Sequence, residues 1–284
     1  MAKVTICATQ MVCSRDIDEN INRAQKLVRS AAKNGANIIL LQELFETFYF
    51  CQQEKYEYLK LASTLKENKA VNAFQKTAKE LNVVLPISFF EKCGNTAFNS
   101  VAIIDADGEI LGVYRKTHIP DGHCYEEKFY FTPGDTGFKV WNTKFAKIGV
   151  GICWDQWFPE CARVMSLMEA EILLYPTAIG SEPVFKIDSS GHWQRTMQGH
   201  AAANITPLVA SNRIGTEKDP PTETTFYGSS FIAGCYGEII KQMDRTSEGF
   251  VDAEFDLDEI AQIRRSWGIF RDRRPEMYRQ LLSH

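Results

Sequence analysis

Apolar positions along the chain fall into two rhythms. Residues 4–8, 37–41, 83–88, 100–105, 110–114, 147–152, 172–175 and 208–211 form short apolar or alternating runs that predict strands. Elsewhere the apolar spacing lengthens to three and four. Ile21, Ala24, Leu27, Val28, Ala31 and Ala32 share one helical face that stops at Asn34-Gly35, and Val71, Phe74, Ala78 and Leu81 share another. Pro159 suits the first turn of a helix running to about residue 170, and residues 192–204 predict one more. Ala106-Asp107-Gly108 is a turn signal between strands 100–105 and 110–114.

This alternation of strand and helix places the chain in the α/β class. At 284 residues it has the length of one large domain or two ordinary ones. The late segment 229–240 (SSFIAGCYGEII) aligns without gaps on 100–111 (SVAIIDADGEIL), which points to two pseudo-equivalent halves, each a sheet with covering helices. No linker rich in Pro, Gly or Ser separates the halves, so a single domain over residues 1–284 is expected.

Composition narrows the class further. With 44% hydrophobic and 24% charged residues the chain is of globular type, able to bury roughly three quarters of its unfolded surface without disulfide or metal staples. A net charge of −4 leaves no basic footprint for nucleic acid or an anionic membrane. The longest apolar runs, 38–41 and 172–175, fall far short of the roughly 18 residues of a spanning helix, and the first residues read as a strand rather than a secretory signal. None of the eight cysteines forms a C-x-x-C pair, so a reduced, cytoplasmic setting is expected.

Common cofactor signatures are absent. Residues 149–154 begin like a dinucleotide-binding glycine motif and fail at its last position, and neither a phosphate-binding loop nor a G-x-S-x-G elbow occurs. His118, His123 and Cys124 lie close enough in sequence for a metal site, but no matched distant pair accompanies them.

The informative segment is 147–160, KIGVGICWDQWFPE. Ile148, Val150 and Ile152 share one face of a strand, and Gly149 and Gly151 leave the other face bare. Cys153 follows on the glycine side, at the strand's C-terminal end and just before a helix. Backbone donors can approach a reacting atom there, and a helix N-terminus favours a thiolate. On this pattern alone a buried structural cysteine fits about as well. Two other strand ends offer partners for a nucleophile: IILLQE ends in Glu43 and ILGVYRK ends in Lys116. In open α/β folds ligands gather beyond the carboxyl ends of strands, so Glu43, Lys116 and Cys153 could converge there. Taken singly, each charge also fits a solvated surface.

The C-terminal segment carries Arg264, Arg265, Arg271, Arg273, Arg274 and Arg279, interleaved with Trp267, Phe270 and Tyr278. The acidic net charge and the neighbouring Asp272 and Glu276 oppose an anion or RNA site. Residues 260–284 instead read as an arm at a subunit contact of a homodimer or larger homo-oligomer, since interfaces enrich Arg and aromatics.

The motifs LLQEL, YRKTHI and GVGICWD occur here in the order of the nitrilase superfamily of carbon–nitrogen hydrolases, and the resemblance extends over essentially the whole chain. Finer stretches, HIPDG (118–122), EKFYFTPGDTGF (127–138), CWDQWFPE (153–160) and YPTAIGSEP (175–183), resemble the N-carbamoylputrescine amidohydrolase branch. One departure is His-Cys-Tyr-Glu at 123–126, where that branch more often has Pro-Gly-Tyr-Gln.

The resemblance implies a nitrilase-like αββα four-layer sandwich and a catalytic triad of Glu43, Lys116 and Cys153, with no metal and no organic cofactor. It implies that Glu127 positions substrate beside the lysine, that Glu182 binds a cationic tail, and that Tyr49 walls the pocket. The implied reaction is hydrolysis of N-carbamoylputrescine, a cationic ureido compound, to putrescine, CO2 and ammonia through a covalent thioester, a step of putrescine biosynthesis. The Lys116 ammonium and the Trp154 backbone N–H are the candidates to face the oxyanion. The alternatives are another amidohydrolase of the superfamily, such as a β-ureidopropionase or a carbamoyl-amino-acid hydrolase, and a non-catalytic scaffold. A carboxylate-tailed substrate would want Arg or Lys where this chain has Glu182, and an intact triad speaks against a scaffold.

Overall fold

The computed structural model describes residues 3–181 and 187–283. The first half comprises β1 (Lys3–Gln10), α1 (Ile17–Lys33), β2 (Ile38–Leu40), α2 (Lys69–Leu81), β3 (Leu85–Cys93), β4 (Thr96–Ile104) and β5 (Ile110–Arg115). A short α3 (Glu127–Tyr130) leads to β6 (Val140–Asn142), β7 (Lys147–Val150), α4 (Pro159–Leu167), β8 (Ile172–Pro176), α5 (Ser190–Asn204) and β9 (Leu208–Ser211). The chain then forms β10 (Ile214–Asp219), β11 (Thr222–Tyr227), β12 (Phe231–Ala233), β13 (Ile239–Gln242), β14 (Gly249–Asp256) and α6 (Leu257–Trp267).

Local chemistry sets the helix ends. The Asp16 and Asn68 side chains accept the Glu19 and Val71 N–H groups at the starts of α1 and α2, caps that contribute about 1 kcal/mol each. Asn82 ends α2 in the left-handed conformation that Asn tolerates.

Strand β1 pairs antiparallel with β14 and parallel with β2, while β3, β4 and β5 form an antiparallel meander. The Ile39 N–H donates to the Val84 carbonyl at 3.1 Å, and the Val84 N–H to that of Asn37 at 2.8 Å. These bonds join the two sheets into one layer, β14-β1-β2-β3-β4-β5. The second layer is β13-β12-β9-β8-β7-β6.

Alternate strand residues face opposite sides, and both sides are buried. Ile6, Ile38, Leu40 and Ile103 of the first layer meet Ile148, Val150, Leu174 and Val209 of the second in one core. Cys7, Ile39 and Leu85 face outward onto Ala24 and Val28 of α1 and Phe74 and Ala78 of α2. Leu173, Tyr175 and Leu208 do the same against Met165 of α4 and Trp193 and Met197 of α5. The fold is an α–β–β–α sandwich.

The two halves repeat. The order β1–α1–β2–α2–β3–β4–β5 matches β7–α4–β8–α5–β9–β12–β13. The hairpin turns that the sequence aligns are seated alike: Gln75 Nε2 of α2 donates to the Gly108 carbonyl at 3.0 Å, and Gln198 Nε2 of α5 to that of Gly237 at 2.7 Å. Both glycines have positive φ (87° and 85°), and a Cβ on either would lie 2.6 Å from a carbonyl of its helix. The sequence repeat is thus a repeat of one packing site.

The expected elements are present, α3 and β6 add to them, and further features differ. A 3-10 turn, Cys153–Trp157, precedes α4, and α4 stops at Leu167 because Glu169 turns the chain with a φ of +69°. The β3–β4 hairpin extends past the core into polar residues, so β3 reaches Cys93. The β10–β11 hairpin, β14 and α6 have no counterpart in the strong apolar runs, because β10, β11 and β14 are polar on one face and α6 buries only Leu257 and Ile260. No described helix is long and apolar enough to cross a membrane.

Candidate active site

Three strand ends converge. Glu43 follows β2, Lys116 follows β5, and Cys153 follows β7. The Glu43 N–H donates to the Thr177 carbonyl beyond β8 at 3.3 Å, and the Lys116 N–H donates to Asn99 of β4 at 2.8 Å. Cys153 is 5% exposed and has a φ of +40°, a left-handed conformation that costs a non-glycine residue on the order of 1–2 kcal/mol. The buried Asp155 carboxylate holds that bend. It accepts the Ile152 N–H at 2.9 Å, the His118 N–H at 3.0 Å and the Tyr114 hydroxyl at 2.7 Å, so it ties the cysteine turn to the lysine strand. His118 Nδ1 lies 2.7 Å from the same carboxylate, and its ring stacks on Phe158 at 3.6 Å.

The ionisable groups meet in the space between these ends. Lys116 Nζ donates to Glu43 Oε1 at 2.8 Å and to Glu127 Oε2 at 2.6 Å, and all three side chains are essentially inaccessible. The buried Tyr49 hydroxyl donates to Glu127 Oε1 at 2.8 Å. Burial pulls the Lys116 pKa down, but the charges of Glu127, Glu43 and Cys153 outweigh it and hold the ammonium well above its ordinary value. Burial pushes Glu127 up to about 7, with Lys116 opposing and Glu43 reinforcing. Burial likewise raises the Cys153 thiol well above its ordinary value; Glu43 adds to that and Lys116 opposes it. The arrangement is a buried thiol beside a carboxylate and a fixed ammonium, which is what acyl transfer through a cysteine requires.

A profile of the carbon-nitrogen hydrolase family matches residues 3–265. The chain is 58% identical over 286 residues to an N-carbamoylputrescine amidase of Arabidopsis thaliana, covering 99% of this chain and 96% of that one. The chain belongs to the carbon–nitrogen hydrolase family, the nitrilase superfamily. It is also 53% identical over 283 residues to a citrullinase of Francisella tularensis subsp. tularensis, covering 99% of each. Among solved structures, a carbon-nitrogen hydrolase from Helicobacter pylori G27 superposes with a TM-score of 0.93 at 39% identity over 99% of both chains.

In this carbon–nitrogen hydrolase the structure brings together Glu43, Lys116 and Cys153, the three strand-end residues, with Glu127 and Tyr49, which only the family resemblance pointed to. Trp154 follows Cys153 within the 3-10 turn; the residue is 38% exposed and its ring meets Trp157 edge-on at 6.3 Å between centroids. Glu182 lies outside the described residues. The segment before it is pinned: the Gly180 N–H donates to the Tyr125 hydroxyl at 3.0 Å, and the Ser181 N–H to the Thr225 carbonyl at 2.8 Å.

Two expectations are corrected. The glycine face of 147–152 is not open to a reacting atom. A Cβ on Gly149 would lie 2.9 Å from Met165 Sδ, and one on Gly151 2.8 Å from the Tyr175 ring, so these glycines admit the helix layer. Nor does the N-terminus of α4 stabilise a Cys153 thiolate, because α4 starts only at Pro159, after the 3-10 turn that Cys153 opens, and burial beside Glu43 favours the thiol. Of the metal candidates, His118 is turned onto Asp155, and no group of three or more metal-ligating side chains occurs among the described residues.

Sequence reasoning missed Arg213, Glu217 and Asn99. Arg213 is fully buried behind β9, and its position just past the apolar run 208–211 is the same signal that marked Glu43 and Lys116. Asn99 sits on β4 one residue before the predicted strand and donates to Glu43 Oε1 at 2.7 Å.

Proposed function

We propose that this carbon–nitrogen hydrolase cleaves N-carbamoylputrescine to putrescine, CO2 and ammonia, with Cys153 as nucleophile, Glu43 as proton shuttle and Lys116 as oxyanion partner. The observation that carries the mechanism is the buried Lys116 ammonium held by Glu43 and Glu127 beside the cysteine. The substrate rests on 58% identity along the whole chain to a protein named for that activity.

The resting thiol calls for a base, and Glu43 takes the proton as substrate enters. The thiolate attacks the ureido carbon, and the oxyanion forms against the Lys116 ammonium and the Trp154 N–H. Removing one such donor typically costs ~10²–10³ in rate. The C–N bond to the terminal nitrogen breaks, and Glu43 returns its proton to the departing ammonia. Water activated by the same carboxylate then cleaves the S-carbamoyl thioester, and the released carbamic acid loses CO2 to leave the amine. Glu127, which takes the Tyr49 hydroxyl and the Lys116 ammonium, positions substrate beside the lysine, Tyr49 walls the pocket, and Glu182 pairs with the substrate's far ammonium.

Citrulline is the second reading, supported by the 53% identity to a citrullinase. Both compounds present a ureido group on an alkyl chain and differ in the tail, an ammonium alone or an amino acid. Ammonia release from N-carbamoylputrescine, L-citrulline and N-carbamoyl-β-alanine tests the assignment. A preference for N-carbamoylputrescine in kcat/KM supports it, with Glu182→Gln raising KM for that substrate by about one to two decades. A preference for citrulline would overturn the substrate and leave the chemistry standing.

A further inference from the structure

Asn99 touches two of the three residues placed in the reaction. Its Nδ2 donates to Glu43 Oε1 at 2.7 Å, and its backbone carbonyl accepts the Lys116 N–H at 2.8 Å. The same Glu43 oxygen takes the Lys116 ammonium at 2.8 Å. Glu43 Oε2 is buried and meets no donor among the described residues. The two carboxylate oxygens are therefore unlike.

We propose that Asn99 is a positioning residue which, with Lys116, saturates Glu43 Oε1 and leaves Oε2 as the atom that takes the Cys153 proton. The inference rests on the reading of Glu43 as the base. In that step the Cys153 S–H bond breaks, its electron pair stays on sulfur, and an O–H bond forms at Oε2. Neither donor moves when Glu43 is protonated, because the carbonyl oxygen of the neutral acid still accepts both. Chemistry fixes the amide's orientation: an ionised carboxylate only accepts, so Nδ2 and not Oδ1 must face it. The backbone fixes its place, since Asn99 lies within the β3–β4 ladder opposite Phe90, and Ser100 beside it pairs with Arg115. A neutral donor suits this position because it orients the carboxylate without competing with the Lys116 charge.

The test compares Asn99→Ala and the isosteric Asn99→Asp with wild type across acidic and neutral pH, with circular dichroism as the check on folding. Asn99→Asp keeps the side-chain shape and serves if the Ala variant does not fold. The expected result is a kcat lower by about tenfold or more with KM within about threefold, as for an interaction that matters in the transition state. The acid limb of the kcat profile should also move to higher pH, through loss of the donor in Asn99→Ala and through the added carboxylate as well in Asn99→Asp. A wild-type kcat and acid limb in Asn99→Asp would overturn the proposal. So would a fall in kcat with an unmoved limb, which marks a merely structural role. Cys153→Ala is measured alongside. Turnover in that variant would overturn the underlying mechanism, whereas an inactive Cys153→Ala beside an undisturbed Asn99→Asp would overturn only the role of Asn99.

Discussion

The Arg213 guanidinium grips the main chain of Glu43, with Nη2 donating to the Glu43 carbonyl at 3.0 Å and Nε to the same oxygen at 3.3 Å. Nη2 also reaches the Leu44 carbonyl at 2.6 Å, and Nη1 donates to Thr47 at 3.0 Å and to Glu217 Oε1 at 2.8 Å. The other Glu217 oxygen accepts the Tyr49 N–H. One buried ion pair therefore shapes the segment that presents both Glu43 and Tyr49, and holds Leu44 at a φ of +49°.

Arg213→Met should lower both stability and turnover. It leaves the Glu217 carboxylate buried without its partner, which costs about 3–5 kcal/mol in comparable pairs. Arg213→Lys keeps a charge but cannot span four acceptors, so it should fold and show a reduced kcat. Denaturant unfolding and ammonia release measure the two effects. An unchanged midpoint in Arg213→Met would remove the ion pair from the account of the loop.

Cys153→Ala and Cys153→Ser should abolish turnover while circular dichroism stays native, because a hydroxyl is a far poorer nucleophile and the site offers no stronger base. Lys116→Ala should lower kcat and kcat/KM together, the mark of an interaction made with the developing oxyanion. A Lys116 variant with normal kcat and only a raised KM would assign the ammonium to substrate binding. Cys161→Ala should spare the chemistry, because its thiol lies behind the strand, 3.9 Å from the Tyr175 hydroxyl.

The residues that were legible in the sequence share one signal. Glu43, Lys116 and Cys153 each stand at or just past the end of an apolar strand, where side chains leave the core and meet. Arg213 carries that signal too, with only Asn212 between it and β9, and reading strand ends for every charge would have found it. Asn99 carries none. It is a polar residue inside a hairpin strand, and its partner Glu43 is 56 positions away, so only the fold brings them together. The glycines of 147–152 show the converse: their pattern was plain, but the sequence did not say whether substrate or a helix fills the bare face. The repeat of 100–111 at 229–240 was legible because each turn must seat a glycine on a helix carbonyl.

Glu46 should make the protein less stable as pH rises. Its carboxyl is pushed up to about 7 by burial, against hydrogen bonds from Asn68 and from the Phe90 and Ala70 N–H groups. Asn68 Nδ2 contacts both oxygens, at 3.0 and 3.1 Å. The folded state thus holds this proton more tightly than the unfolded chain, where Glu titrates near 4.5. The stabilisation is complete below that pH and is lost as pH rises to about 7, a change on the order of 3 kcal/mol at about 1.4 kcal/mol per unit. Glu46→Gln, which cannot ionise, should match wild type in acid and exceed it above neutrality. Parallel unfolding curves for the two proteins at acid and alkaline pH would contradict this.

The segment beyond α6 should decide how the protein associates. Arg264 is turned inward, donating to the Ile205 carbonyl at 3.1 Å, to that of Ala170 at 3.3 Å and to Thr206 Oγ1 at 2.8 Å. Arg271 pairs with Asp272, Arg274 with Glu276, and the Arg163 guanidinium covers Phe270. Much of the arginine content is thus spoken for within the chain, and the apolar side chains are what is left over. Trp267, Met277, Leu281 and Leu282 are 63%, 69%, 64% and 92% exposed. Covering a large apolar side chain contributes roughly 1.5–3 kcal/mol, so four in a short arm favour burial against a second copy of the chain. Truncation after Trp267 should shift light scattering from a dimer or larger species towards monomer, or lower solubility, and Leu281→Glu with Leu282→Glu should do the same more mildly. A full-length protein that runs as a stable monomer would defeat the idea, and an unaltered assembly after truncation would place the contact elsewhere on the fold.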